Sequence, residues 1–183
     1  MRRATRLRRE AIAKEEKVRR DRKICNSVIS LASFRYAETV LIYSPVSNEI
    51  DVDPIAEEAL RRGKKVAYPI SYHGGIMKYH TVTSLDELKV GKFGIPAPDE
   101  SAPLFDGDTE TALVIIPAFL FDKKGYRLGY GGGFYDRYLS GFHGTKLGVI
   151  YSDFIVDKVP RSRYDISVDI LVSEKGATVT NEG

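Results

Sequence analysis

In Gly125-Tyr126-Arg127-Leu128-Gly129-Tyr130-Gly131-Gly132-Gly133-Phe134-Tyr135-Asp136-Arg137-Tyr138, four glycines (Gly129, Gly131, Gly132, Gly133) fall within five positions. An apolar run, Ala112 to Phe121, comes before, and its Val114-Ile115-Ile116 centre reads as a buried strand. Phe134 to Leu139 comes after and reads as the first turns of a helix. Glycines at such a junction leave backbone N–H groups unshielded, the arrangement in which main-chain donors and a helix start hold phosphate oxygens. A flexible surface turn is the competing reading. It accounts for neither Arg127 entering the loop nor Asp136 leaving it. An arginine suits an anion and a carboxylate suits a divalent cation, which is what a nucleoside triphosphate with magnesium requires.

Neither common phosphate loop fits. No Lys-Ser or Lys-Thr follows the glycines, as a Walker loop would need. A dinucleotide fingerprint fits Gly129-x-Gly131-x-x-Phe134 only with a bulky third residue, and it would lie nearer the start of the chain. Around the loop, strands are expected at Thr39–Tyr43, Lys65–Ile70, Ile76–His80, Ala112–Pro117, Lys146–Tyr151 and Ser167–Val172. Helices are expected over residues 5 to about 35 as one long element, over Asp51–Arg62 ended by Gly63, and from Phe134 to Leu139, with a capped turn at Ser84–Leu88. Residues 91–108, with three prolines, read as an extended connection. Alternation of this kind predicts an α/β fold: a single domain, residues 1–183, with an open, largely parallel twisted sheet and helices on both faces, Rossmann-like in three layers. Ligands of such sheets sit beyond the carboxyl ends of the strands, where the glycine loop and Ser47–Glu49 both fall.

The composition, 43% hydrophobic and 29% charged over 183 residues, is that of a soluble globular protein with an adequate core. A lone Cys25 cannot form an intramolecular disulfide, and no apolar run reaches the roughly 20 residues of a membrane span. A cytoplasmic location is therefore expected. Residues 1–23 hold eleven Lys or Arg against four Asp or Glu, a net of +7, so the remainder carries −4 of the chain's +3. A basic arm can bind nucleic acid, but this one has no interleaved aromatics for base stacking and follows a helical pattern. His73, His80 and His143 lack the paired spacing of a zinc site.

The segment from Pro117 to Asp136 resembles the signature of the 5-formyltetrahydrofolate cyclo-ligases, also called methenyltetrahydrofolate synthetases. Leu7-Arg8, Ser47-Asn48-Glu49-Ile50, Gly94-Ile95-Pro96-Ala97-Pro98 and Ser167-Val168-Asp169 fall in that family's order, so the likeness covers nearly the whole chain. The resemblance implies ATP binding by Arg8, Arg127, Leu128, Gly129, Tyr130, Gly131, Gly132, Gly133, Phe134 and Tyr135. Ala4 stands where the family has a lysine, and Arg3 and Arg6 are the neighbours able to reach the same phosphate in its place. Folate is expected at Ser44, Glu49, Tyr130, Gly131, Gly132, Gly133 and Phe134, with the Glu49 carboxylate accepting from an amino-pyrimidinone. Arg127 and Asp136 are the expected catalytic pair. Asp136 is either a helix-start carboxylate or a magnesium ligand. Asp169, in an apolar strand, needs either a structural basic partner or the same metal, the role that the family assigns.

The implied reaction converts 5-formyltetrahydrofolate, polyglutamylated or not, to 5,10-methenyltetrahydrofolate with release of ADP and phosphate. Phosphorylation of the formyl oxygen makes an imidate phosphate, which the 10-nitrogen displaces. No protein nucleophile is needed, and none is evident. Two other readings stand beside it. A sugar-phosphate or acyl-CoA enzyme could use the same anion loop without ATP, and a noncatalytic RNA-binding relative could use the basic arm.

Overall fold

The computed structural model describes residues 1–180. The helices are α1 (Arg2–Glu10), α2 (Lys14–Ser30), α3 (Ala32–Tyr36), α4 (Asp53–Arg61) and α5 (Phe134–Leu139). The first strands are β1 (Thr39–Leu41), β2 (Lys65–Tyr72), β3 (Ile76–Val82), β4 (Lys89–Val90), β5 (Pro96–Ala97) and β6 (Ala112–Ile116). The rest are β7 (Leu120–Asp122), β8 (Arg127–Leu128), β9 (Thr145–Val149), β10 (Ile155–Val156), β11 (Ile170–Ser173) and β12 (Gly176–Val179).

A seven-stranded sheet runs in the order β12-β11-β9-β6-β1-β2-β3. Its five inner strands are parallel, and β12 and β3 are antiparallel edges. All of β6 is buried, as a strand flanked by parallel neighbours and covered on its faces must be. Strand order reverses between β1 and β6, whose registers pair Val40 with Leu113. The crevice beyond the carboxyl ends of those two strands is where a doubly wound sheet takes its ligand. Helices α3 and α4 each pack on α2, with α2 against β11 and β12, α4 against β2, and α5 against β3.

Four expectations are corrected. The long first helix is three: Ala13 and Leu31 are extended (ψ 143° and 146°), so α1 separates from α2 and swings free to cross the sheet. Leu7, an apolar position in the pattern of that long helix, is exposed and does not face the core, while Thr5 and Arg9 are the buried residues of α1. The glycine loop does not follow β6 directly, because the β7–β8 hairpin intervenes and joins β10 in a separate three-stranded sheet. Residues 91–108 are not all irregular: β5 pairs with β4 in a ribbon, where Pro96 is tolerated because no inner ladder needs its missing N–H. The capping box at Ser84 and Glu87 is present as expected.

Asp122 fixes the hairpin. It is fully buried, and its carboxylate accepts from the Lys124 and Tyr126 N–H groups (3.0 and 3.1 Å) and from Val159 N–H (3.3 Å). Gly125 takes the left-handed turn position (φ 82°) beside Val168 O, which a Cβ would approach to 2.6 Å. Asp122→Ala leaves three backbone donors without their acceptor. It is expected to cost ~3 kcal/mol or more of stability in urea denaturation, and a loss under ~1 kcal/mol would contradict this role.

Candidate functional site

The turn after β1 builds one side of the crevice. Ser47 adopts a left-handed conformation (φ 55°), Glu49 N–H bonds Val46 O (3.1 Å), and Val46 N–H returns a bond to Glu49 Oε2 (2.9 Å). The turn thereby folds the Glu49 side chain back over the strand ends, and the buried Tyr43 hydroxyl ties its far end through Ile50 O (2.8 Å). Burial pushes the Glu49 carboxyl pKa above its ordinary value. Hydrogen bonds from Tyr130 and Val46, with the positive charge of Arg9, act the other way. Tyr130 donates its hydroxyl to Glu49 Oε1 across 81 residues of sequence, and its ring lies 4.6 Å from that of Phe119. Ser44 Oγ and Asn48 Nδ2, in the same turn, are buried without a partner among the described residues.

The glycine loop is the other side. Arg127 Nη2 bonds Asp136 Oδ1 (2.6 Å), closing the loop across nine residues, and Arg127 Nη1 bonds Ile166 O (2.8 Å). Ile166 N–H completes the group on Asp136 Oδ1 (3.0 Å). Two loop carbonyls are turned outward onto arginines: Gly129 O accepts from Arg2 Nε (2.7 Å) and Gly132 O from Arg137 Nη1 (2.7 Å). Left-handed turns at Gly131 (φ 99°) and Gly133 (φ 67°) allow this path. No main-chain N–H from Tyr130 to Asp136 has an acceptor among the described residues. A loop with its carbonyls tied back and its N–H groups unpaired is a receptor for anionic oxygens.

The expected arginines are rearranged. Arg127 spends its guanidinium on Asp136 and a carbonyl, so it shapes the loop here. Arg2 meets the loop, whereas Arg3 is exposed with no side-chain hydrogen bond among the described residues. Arg8 lies elsewhere, bonding Asp153 O (3.3 Å) and stacking on Phe154. Helical geometry explains it: Arg2, Thr5 and Arg9 share one face of α1, at spacings of three and four, and Arg3 and Arg8 fall to its sides. Arg9, on that face, is buried against Ala118 O (2.5 Å) and Phe119 O (3.0 Å), the residues that leave β6 at the switch point.

Sequence reasoning missed Arg2, Arg9 and Arg137. The i, i+4 pairing of Thr5 with Arg9 was a readable signal for the second, and the other two depend on where the loop carbonyls point. Asp169 is not joined to Asp136. Its Oδ2 accepts from Lys146 N–H (2.8 Å) and pairs with the Lys146 ammonium (3.2 Å), at the amino end of β11. No group of three or more His, Cys, Asp or Glu suited to a metal occurs among the described residues. A cavity of about 400 Å³ opens beside Gly133, Asp136, Arg137 and Tyr164, on the outer flank of the loop. A larger one, about 480 Å³, lies between Lys64, Thr81 and Phe105, away from Glu49 and the glycines. No described helix is long and apolar enough to cross a membrane.

Comparison with known proteins gives this crevice its context. The NMR structure of 5,10-methenyltetrahydrofolate synthetase from Aquifex aeolicus is similar to this fold with a TM-score of 0.86 and 33% identity, covering 100% of this chain and 92% of that one. The 5-formyltetrahydrofolate cyclo-ligase of Escherichia coli K12 is 28% identical over 177 residues, 92% of this chain and 95% of that one. The probable 5-formyltetrahydrofolate cyclo-ligase of Schizosaccharomyces pombe is 28% identical over 166 residues, 82% of this chain and 81% of the relative. The model of the 5-formyltetrahydrofolate cyclo-ligase family matches residues 1–174, and this chain, an enzyme of folate one-carbon chemistry, belongs to that family.

Proposed function

We propose that the crevice at the β1–β6 switch point holds the pterin of 5-formyltetrahydrofolate on Glu49 and the ATP polyphosphate on the N–H groups of Tyr130–Asp136. Tyr130 is the observation that carries this reading. Its backbone belongs to the glycine loop, and its hydroxyl bonds Glu49, so one residue spans the two candidate subsites. A formyl group on the pterin would then lie between the carboxylate and the loop, where a γ-phosphoryl can reach its oxygen. Phosphoryl transfer to that oxygen turns a poor leaving group into phosphate. The 10-nitrogen attacks the activated carbon and gives up its proton, the C–O bond breaks with its electrons going to phosphate, and 5,10-methenyltetrahydrofolate, ADP and phosphate leave. The protein's part is placement and charge neutralisation, with no residue taking up the substrate covalently.

Magnesium fits beside Asp136. Oδ1 is engaged by Arg127 and Ile166, while Oδ2 has no protein donor among the described residues and stands at the end of the N–H array. A divalent ion there would share the carboxylate with phosphate oxygens, which suits the preference of magnesium for few protein ligands. Asp169 joins this set only if Lys146 yields its carboxylate. A sugar-phosphate enzyme would use the same loop but would leave Glu49 without a task. An RNA-binding arm is disfavoured because Arg2 and Arg9 are committed to backbone carbonyls of this same crevice.

The reading is tested by calorimetry and turnover together. Purified protein with ATP, magnesium and 5-formyltetrahydrofolate should generate the absorbance of methenyl-folate. Glu49→Gln should weaken folate binding by about 10–100-fold while leaving ATP affinity within about twofold, as the loss of a charge-assisted bond predicts. Equal losses for both ligands would place Glu49 in the scaffold instead. On the ATP side, Arg2→Ala should raise the KM for ATP about tenfold, by releasing Gly129 O and removing a charge beside the loop. Arg8→Ala should leave it nearly unchanged, and the reverse order would return Arg8 to the polyphosphate.

A further inference from the structure

Arg9 is buried at 4% exposure and has no carboxylate within ion-pair distance among the described residues. Among the described residues only Nη2 is hydrogen-bonded, to Ala118 O and Phe119 O, and Nε is buried with no partner there. The rings of Tyr151 and Phe154, 6.0 and 5.1 Å from the guanidinium carbon, offset part of the burial. Burial draws the Arg9 pKa below the ordinary arginine value, and the nearby Tyr130, Tyr43, Tyr151 and Glu49 oppose that shift. A buried cation with an idle donor is costly unless something completes it.

Its position says what would. Arg9, on α1, bonds the carbonyls of Ala118 and Phe119, which leave β6, and Glu49 comes from the turn after β1, so the two groups stand near each other at the switch point. On an amino-pyrimidinone ring the 2-amino group and N3–H are donors for a carboxylate, and the next ring position carries the 4-oxo oxygen, an acceptor. We propose that Arg9 Nε donates to that oxygen, so that Glu49 and Arg9 together read the donor–donor–acceptor edge of the pterin and reject 4-amino pteridines. This rests on the reading that places the pterin at Glu49. A 4-amino ring has no hydrogen on N3 and presents a donor at position 4. Glu49 would lose one bond, and the Arg9 donor would meet another donor. Tyr130, about half exposed at 52% and bonded to Glu49, is the side chain that the entering ring displaces.

The test is calorimetric binding, without ATP so that nothing turns over, of 5-formyltetrahydrofolate and its 4-amino-4-deoxy counterpart. Wild type, Arg9→Met and Glu49→Gln are compared. Arg9→Met should lower the preference for the 4-oxo ligand by about tenfold or more, with ATP affinity unchanged. A preference equal to that of wild type overturns the inference. Equal weakening of both ligands also overturns it, because Arg9 would then serve only the Ala118 and Phe119 carbonyls. Unchanged folate affinity in Glu49→Gln would remove the pterin from Glu49, and the premise with it, whatever Arg9→Met does. Should Arg9→Met melt below the assay temperature, Arg9→Lys carries the same test. Its ammonium can keep the two carbonyls and the charge but has no counterpart of Nε, and the same fall in preference is expected.

Discussion

The ion pair between Arg127 and Asp136 holds the glycine loop in one shape. Their side chains are 5% and 26% exposed, so the pair is drawn well out of water. Removing one member of such a pair leaves a charge with little solvent to receive it, at a cost of about 3–5 kcal/mol. Glycines between them supply no packing of their own, and two, Gly131 and Gly133, take left-handed turns. Without the clamp, the loop would have many paths of similar energy. With it, and with Arg2 and Arg137 drawing two carbonyls outward, the unpaired N–H groups are left as the loop's free polar surface.

Sheet topology supplies the second constraint. Order reverses between β1 and β6, which opens a crevice beyond the carboxyl ends of those strands. Helix α1 crosses there with two arginines on its inner face, one meeting Gly129 and the other the carbonyls beyond β6. The basic arm thus lines the crevice, and its inner charges face backbone oxygens and aromatic rings. A segment with so few buried apolar residues is held to the sheet chiefly by these polar contacts, with little hydrophobic burial. Tyr130 links the two halves, because it reaches from the loop to the Glu49 turn.

Most of the sheet could be read directly from sequence. The runs Thr39–Leu41, Lys65–Tyr72, Ala112–Ile116, Thr145–Val149 and Ile170–Ser173 are rich in apolar and β-branched residues, and α5 spans Phe134–Leu139 as expected. The place of Glu49 just after β1 was legible as well, and so was that of the glycine loop just before α5. Other features left no local trace. Strands β7 and β8 have three and two residues, too short for a period to emerge, and their hairpin depends on Asp122 meeting backbone donors from Val159 as well as its own turn. The break at Ala13 lacks a glycine or proline, so the apolar period runs through it and hides the register of the arginines. Arg9 as a buried cation contradicts the usual placement of its residue type, and a binding crevice is where such exceptions gather.

The central claim is that the N–H groups from Tyr130 to Asp136 are the receptor for the polyphosphate. Amide chemical shifts of isotope-labelled protein, followed while a nonhydrolysable ATP analogue is added with magnesium, examine those groups one by one. The account predicts that the largest shifts fall on the amides from Tyr130 to Asp136, with slower hydrogen exchange in the bound state. Shifts concentrated around Lys64, Thr81 and Phe105, with the loop amides unmoved, would contradict it and place the nucleotide in the larger cavity instead.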